Sequence, residues 1–264
     1  NENLLYFVVF RNYQVLFINL FLMFKNYFLL FFILISSATF SQNYSEEKIY
    51  SLYDKQVGIE NSVLFRGIEY VELHRVINEF HKFFEVNEFV DASIIYNDQK
   101  FPNVPIKYNV YDDLILVNLQ YNQNKSIFKL INNRVQEFYI NGHQFIYLET
   151  SNDIDLNGFF EVIDREGAFK IYKRHKKDMQ ERRDKQMVYH EFKNDKPDYY
   201  FEFQNDVFEL RNKRNLFDVF PKLKSEIRNF YRANRKEFRN NPEDFMKTLA
   251  TEMNSLLSNF QNEI

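Results

Sequence analysis

The sequence predicts an α+β fold: an antiparallel β-meander, formed as a curved sheet or a sandwich, packed by two C-terminal α-helices. Three observations predict it. Short runs rich in Val, Ile and Tyr recur from residue 91 onward and are punctuated by Asn, Asp and Gly. No long apolar helical pattern separates these runs, which argues against the crossover helices that parallel strands need. From about residue 215 the apolar spacing changes from a strand period to a helical one.

The runs Asp91 to Asp98, Val104 to Tyr111 and Leu114 to Leu119 predict the first strands, with Asn97-Asp98 and Phe101-Pro102-Asn103 as punctuation between them. Ser126 to Ile131, Arg134 to Ile140 and Gln144 to Glu149 continue the meander. Asn141-Gly142 is a strong two-residue hairpin signal, because both residues tolerate the left-handed backbone that such a turn requires. Gly158 to Asp164 pairs with Ala168 to Arg174 around Glu166-Gly167, and Tyr199 to Gln204 pairs with Val207 to Arg211 around Asn205-Asp206. Upstream, Leu73, Val76, Ile77, Phe80 and Phe83 would suit a helix. Phe65 to Val71 and Lys82 to Val86 suit strands flanking a loop, and strands are the expectation.

The first C-terminal helix is predicted from the stripe Leu216, Phe220, Leu223, Ile227, Phe230, Tyr231 and Phe238, with Pro221 placed to begin it. The second starts at Pro242 behind the cap Asn241. Glu243 and Asp244 suit its positive end, and Phe245, Leu249, Met253, Leu256 and Phe260 form its apolar face.

The N-terminal forty residues stand apart. Leu4 to Phe10, Val15 to Phe24 and Tyr27 to Ile35 follow one another with only Arg11 and Lys25 as charges. Two readings compete. A bilayer span over Val15 to Ile35 would place Lys25 near its middle at a cost of about 3 kcal/mol. The preferred reading makes Met23 the initiator, Lys25 the positive flank, Tyr27 to Ile35 the apolar stretch of a signal peptide, and Ser36 to Ser41 its small-residue cleavage region. Residues 1–41 are then a signal-peptide region, with 1–22 upstream of the true start. Residues 42–264 form a single β-rich domain without a transmembrane span, placed in the periplasm or secreted after cleavage near Ser41.

The chain has no cysteine, which excludes disulfides, thiol nucleophiles, Cys-ligated zinc and a lipidated N-terminal Cys. Its 31 Phe and 18 Tyr offer either stacking platforms or core, and core packing is favoured by the usual burial of Phe. Charge divides the mature chain. Residues 42–169 hold 11 Lys and Arg against 20 Asp and Glu, whereas residues 170–264 hold 21 against 16.

Several segments resemble an uncharacterised family of exported proteins of Bacteroidetes-type bacteria. The likeness rests on Tyr96, Phe101-Pro102-Asn103-Val104, Tyr108 to Asp112, Asn133 to Phe138, Gly158 to Val162, Lys173 to Lys177 and the Lys-rich closing helix, and on the junction Phe40-Ser41-Gln42. It spans most of residues 60–260. The resemblance implies export and a β-rich fold and brings no activity with it.

The five glycines build neither a nucleophile elbow, a phosphate loop nor a dinucleotide-binding turn, and no His-Glu-x-x-His is present, so no cofactor is expected. His74 and His81 would align on a helix but lack a third metal ligand in register. His143, in a predicted turn, and His175, in a basic run, are expected to be solvated. Asp112-Asp113, Asp153 with Asp155, and Glu161 with Asp164 are the paired carboxylates that glycoside hydrolysis would use; Asp112-Asp113 is more simply a turn whose side chain caps a backbone N–H. Basic runs at Lys170 to Lys185 and Arg211 to Arg239 name the binding candidates Lys173, Arg174, Lys176, Lys177, Arg228, Arg232 and Arg235.

The expected function is non-catalytic: an envelope protein that binds a partner protein or an anionic envelope surface through its basic C-terminal part, with no nucleic-acid partner. The alternatives are an envelope polysaccharide or peptide hydrolase using paired carboxylates, and a carrier enclosing an apolar ligand.

Overall fold

In the computed structural model the described residues are 62–76, 79–121, 124–149, 156–185 and 187–261, all within one unit spanning Tyr50–Ile264. Residues 1–41, where a signal peptide is expected, and the Asp153 and Asp155 pair lie outside them.

Turn chemistry lays out the sheet. Asn97 and Asp98 both have positive φ, 50° and 62°, and so do Asn141 and Gly142, at 51° and 83°. Two successive left-handed residues give a tight turn whose twist matches the strands it joins. The first turn connects β2 (Val90–Tyr96) to β3 (Gln99–Asn109), and the second connects β6 (Val135–Ile140) to β7 (His143–Leu148). Gln204 and Asn205, at 53° and 67°, do the same for β12 (Asp198–Phe203) and β13 (Asp206–Glu209).

With β1 (Ile68–Glu69), β4 (Leu114–Tyr121), β5 (Asn124–Lys129), β8 (Gly158–Asp164) and β9 (Phe169–Arg174), these strands form one eleven-stranded antiparallel sheet in the order β1-β5-β4-β3-β2-β6-β7-β8-β9-β12-β13. After the two-residue edge strand β1, the chain begins the body of the sheet at its middle. It runs outward from β2 to β5, returns through the short turn Asn132–Arg134 to lay β6 against the other edge of β2, and then runs outward again. The sheet is open, so the α+β antiparallel expectation holds as an open meander and not as a sandwich.

Two strands escape the apolar-run reading. β10 (Lys177–Arg183) and β11 (Val188–Asn194) form a separate two-stranded hairpin, and only Phe192 among their residues is buried. A strand exposed on both faces has no apolar alternation to betray it. β3 also runs straight through Phe101-Pro102-Asn103, which the sequence presents as a break. Pro102 is absorbed because the register shifts opposite it, between Ala92 and Ile94 of β2; a bulge is where a strand tolerates a residue that donates no N–H. Upstream, only Ile68–Glu69 becomes a strand, while Val76 and Phe83 make isolated bridges to His190 and Asn109.

The expected long first helix is three shorter ones: α1 (Lys213–Val219), α2 (Lys224–Ala233) and α3 (Arg235–Asn240). Pro221, which lacks an N–H, forces a short 3-10 turn over Pro221–Leu223 between the first two. Asn234 breaks the next, its side-chain Nδ2 donating to Phe230 O at 3.1 Å in competition with the backbone. α4 (Pro242–Gln261) is the predicted second helix, with Pro242 at its first position. Asn241 serves through its backbone carbonyl, which accepts from Phe245 N at 3.1 Å, while its side chain donates to Asp244.

Alternation along β7, β8 and β9 divides the sheet into faces. Phe145 and Phe159 point into one apolar cluster that continues through Ile94, Tyr96, Ile106, Tyr108, Val117 and Phe138. Phe169 and Ile171 point into a second cluster with Leu216, Ile227, Phe245, Leu249 and Met253 of the helices. Phe160, Tyr172 and Tyr200, one residue out of phase, form a third. Full burial of each such side chain contributes about 1.5–3 kcal/mol. The helices therefore cover only the far end of the face, over the end of β8 and over β9, β12 and β13, and Glu161 stands between the two clusters.

Candidate functional site

Strand register builds the site. On β8 Glu161 pairs with Phe145 of β7 on one side and Lys173 of β9 on the other. The period of two then brings His143, two residues before Phe145, and His175, two after Lys173, to the same face. Glu161 is 3% exposed. Its Oε1 lies 2.5 Å from His143 Nδ1, and its Oε2 lies 2.7 Å from His175 Nε2 and 3.0 Å from Lys173 Nζ. Lys173 Nζ also donates to Glu243 Oε2 at 2.8 Å, which ties the first turn of α4 to the sheet.

Burial works against the charge on Glu161, but the donors His175, His143 and Lys173 outweigh it and hold the carboxyl down at about 2. Burial likewise disfavours the Lys173 ammonium, and its bonds to Glu243 and Glu161 reverse that and raise its pKa. The carboxylate is thus fixed as an anion with all its surroundings donating to it.

A cleft of about 560 Å³ opens beside this cluster. Phe84, Tyr199, Pro197 and Pro242 give it apolar wall, and His143, His175, Lys173, Lys176 and Lys177 give it nitrogen donors. Each carboxylate of its lining already has a cationic or imidazole partner. Glu85 meets His143 at 3.4 Å, Glu243 meets Lys173 and Lys247, and Asp195 meets Lys176 at 3.7 Å. Lys177 differs. Its Nζ donates to the backbone carbonyl of His81 at 2.7 Å, and burial alone pushes its pKa down to about 8.

Three of the seven binding candidates therefore converge, Lys173, Lys176 and Lys177. Arg174 is sent to the opposite face by the alternation of β9; it reaches Asp113 Oδ2 and Asn157 O, each at 3.3 Å, and lies over the ring of Phe160. Arg228, Arg232 and Arg235 are exposed on α2 and α3 and take no part in the cleft lining. His143 and His175, expected in solvent, are instead the two flanks of Glu161, because β7 and β9 are both its neighbours. The β8–β9 hairpin around Glu166-Gly167 brings 161 and 175 to one face, whereas His143 joins them only through the pairing of β7 with β8.

The paired carboxylates do not pair. Glu161 is taken up by His143, His175 and Lys173, whereas Asp164, beyond a register shift in β8, accepts from Glu166 N at 2.9 Å. Asp112 is held by Asn109 Nδ2 at 2.7 Å and by Lys82 at 3.2 Å. Asp113 accepts from Tyr108 OH at 2.8 Å and Phe159 N at 3.3 Å, and burial raises its pKa in spite of these donors and Arg174. The capping role expected of this turn belongs partly to Asn109, whose Oδ1 accepts from Asp112 N at 3.0 Å.

His74 and His81 do not share a helix. His74 packs edge-on to His190 and Phe192, while His81 Nδ1 accepts from Phe83 N at 3.2 Å. Among the described residues no group of three or more His, Asp or Glu side chains is arranged to hold a metal ion. Nor is any helix among them long and apolar enough to cross a membrane. No family model, curated protein or solved structure matches this chain.

Proposed function

We propose that the protein is a non-catalytic binding protein of the cell envelope or cell exterior, and that the cleft between β7, β9 and α4 receives an anionic group of its ligand or partner. The observation that carries this reading is Lys177, a half-buried ammonium whose described partner is a carbonyl oxygen. A phosphate or carboxylate entering the cleft supplies the counter-charge that burial has removed. The N-terminal apolar run with its small-residue junction supports the envelope location.

The binding reading moves the contact from the exposed basic helices to the sheet. Surface arginines in water contribute little to a specific contact. The hydrolase reading loses its support, since Glu161 is saturated by three donors and the neighbouring carboxylates Glu85 and Glu243 are themselves paired with His143 and with Lys173 and Lys247. The apolar-carrier reading loses ground as well, because both described cavities have Lys, His and Glu in their walls.

Calorimetric titration of the purified chain with inorganic phosphate tests the proposal, at low and high salt, with Lys177→Gln in parallel. Saturable binding that weakens with salt and is lost in the variant supports it. Equal binding by both proteins, or none by either, removes it.

A further inference from the structure

Resting on the anion-binding reading of the cleft, we infer that Lys177 captures its ligand covalently, its amine condensing with the carbonyl carbon of an α-keto acid or another carboxylate-bearing aldehyde or ketone.

Three features of the geometry lead there. Lys177 lines a cleft open to small molecules, yet its stem is half-buried and its Nζ is anchored on His81 O at 2.7 Å. An amine that spends one N–H on a carbonyl keeps its lone pair for the side facing away from that oxygen. Second, no carboxylate of the lining engages Lys177: Glu85, Glu243 and Asp195 are taken by His143, by Lys173 with Lys247, and by Lys176. Nothing there holds the ammonium proton in place. Third, Lys173 and Lys176 stand in the same lining, each shared with carboxylates of the protein, Glu161 and Glu243 for the one and Asp195 and Asp198 for the other. A ligand carboxylate that displaces one of these meets a cation while its carbonyl meets the amine. A lysine desolvated in its pocket is a usual arrangement of an amine nucleophile. Its depressed pKa, about 8, leaves a share of neutral amine at neutral pH, which an exposed lysine does not have.

The chemistry balances without an oxidant or a reductant. The Nζ lone pair forms the C–N bond as the carbonyl π pair moves onto oxygen. That oxygen gains a proton as the nitrogen loses one, giving a carbinolamine. The hydroxyl takes a second proton and leaves as water while the nitrogen lone pair forms C=N, and loss of the remaining N–H proton restores the count. Amine and carbonyl become imine and water.

The full chain incubated with pyruvate and cyanoborohydride tests this. The reagent delivers hydride to the imine carbon and fixes the adduct as a secondary amine, which peptide mass spectrometry locates. Lys177 is expected to be labelled roughly tenfold faster than Lys185, an exposed hairpin lysine. Lys177→Arg should abolish the cleft adduct, and Lys185→Arg should leave Lys177 labelling unchanged. Labelling of Lys177 no faster than Lys185 overturns the inference. Phosphate titration of the same preparation separates the two ideas: binding without preferential labelling leaves the anion cleft standing and removes covalent capture, whereas neither binding nor labelling removes both.

Discussion

Asn254, in the second half of α4, closes three hydrogen bonds on the β8–β9 turn, two of them with the backbone of a single residue, Phe169. Its Oδ1 accepts from Phe169 N and its Nδ2 donates to Phe169 O and to Glu166 O, each at 2.8 Å. One amide thereby pairs the backbone of buried Phe169 and reaches the exposed turn before it. Asn254→Ala should cost about 2–3 kcal/mol in urea unfolding. Gly167→Ala should be comparably damaging by a different route: Gly167 has φ +88°, and a Cβ there would lie 2.6 Å from Asn254 Oδ1. A loss under about 0.5 kcal/mol in Asn254→Ala would show that the turn holds without the amide.

The Glu161 cluster predicts acid sensitivity. Its folded pKa of about 2 lies below the ordinary 4.5, so its contribution to stability is complete above about pH 4.5 and is lost as the pH falls toward 2. Glu161→Gln should flatten the stability profile across that window. At neutral pH the same variant takes the buried carboxylate from His175 and His143 and leaves Lys173 with Glu243 alone, and should cost roughly 3 kcal/mol. Denaturant midpoints measured through the window check both effects, and a wild-type profile no steeper than the variant's would contradict the assignment.

Lys177 predicts a slope of the same sign at the alkaline end. Its folded pKa of about 8 lies below the ordinary 10.5, so between these values the unfolded chain binds the proton that the folded chain has released. Stability attributable to this group therefore rises with pH through that interval. In Lys177→Met the rise should be absent, and the difference between the two curves, read as Tm against pH, isolates it. Parallel curves would mean that the ammonium is fully solvated.

Two buried hydroxyls are predicted to be dispensable. Tyr96 is fully buried in the first apolar cluster, and neither its OH nor that of Tyr231 has a hydrogen-bond partner among the described residues. Burying an unpaired hydroxyl is unfavourable. Tyr96→Phe and Tyr231→Phe should each stabilise the fold by about 1 kcal/mol. A drop in Tm in either variant would show that its hydroxyl is satisfied after all.

Much of the sheet was legible because its turns announce themselves. Asn97-Asp98 and Asn141-Gly142 carry the left-handed conformation in their side-chain chemistry, and the strands between them alternate cleanly. The β10–β11 hairpin was illegible for the converse reason, as Lys177 to Arg183 has hardly any buried face to alternate. Pro221 was placed correctly as a helix start but not as a helix end, since the apolar stripe runs on across the break. The site was half legible. Lys173, Lys176 and Lys177 were visible as a basic run, but the run says nothing about which alternate residue turns away, and so Arg174 was grouped with them. Glu161 and His143 become a pair only through the order of β7, β8 and β9, and the order of strands is a property of the fold as a whole.

The start of the sheet's body at its middle bears on biosynthesis. β2 is a central strand in the finished protein, but β6 is made only after β3, β4 and β5. During translation the flank of β2 that will meet β6 is a bare edge, with Ile94 and Tyr96 beside it and their later neighbours Phe138, Phe145 and Phe159 not yet synthesised. A nascent chain in this condition is open to pairing with the wrong strand. Shielding it until Val135–Ile140 emerges is a task for whatever escorts the chain to its destination.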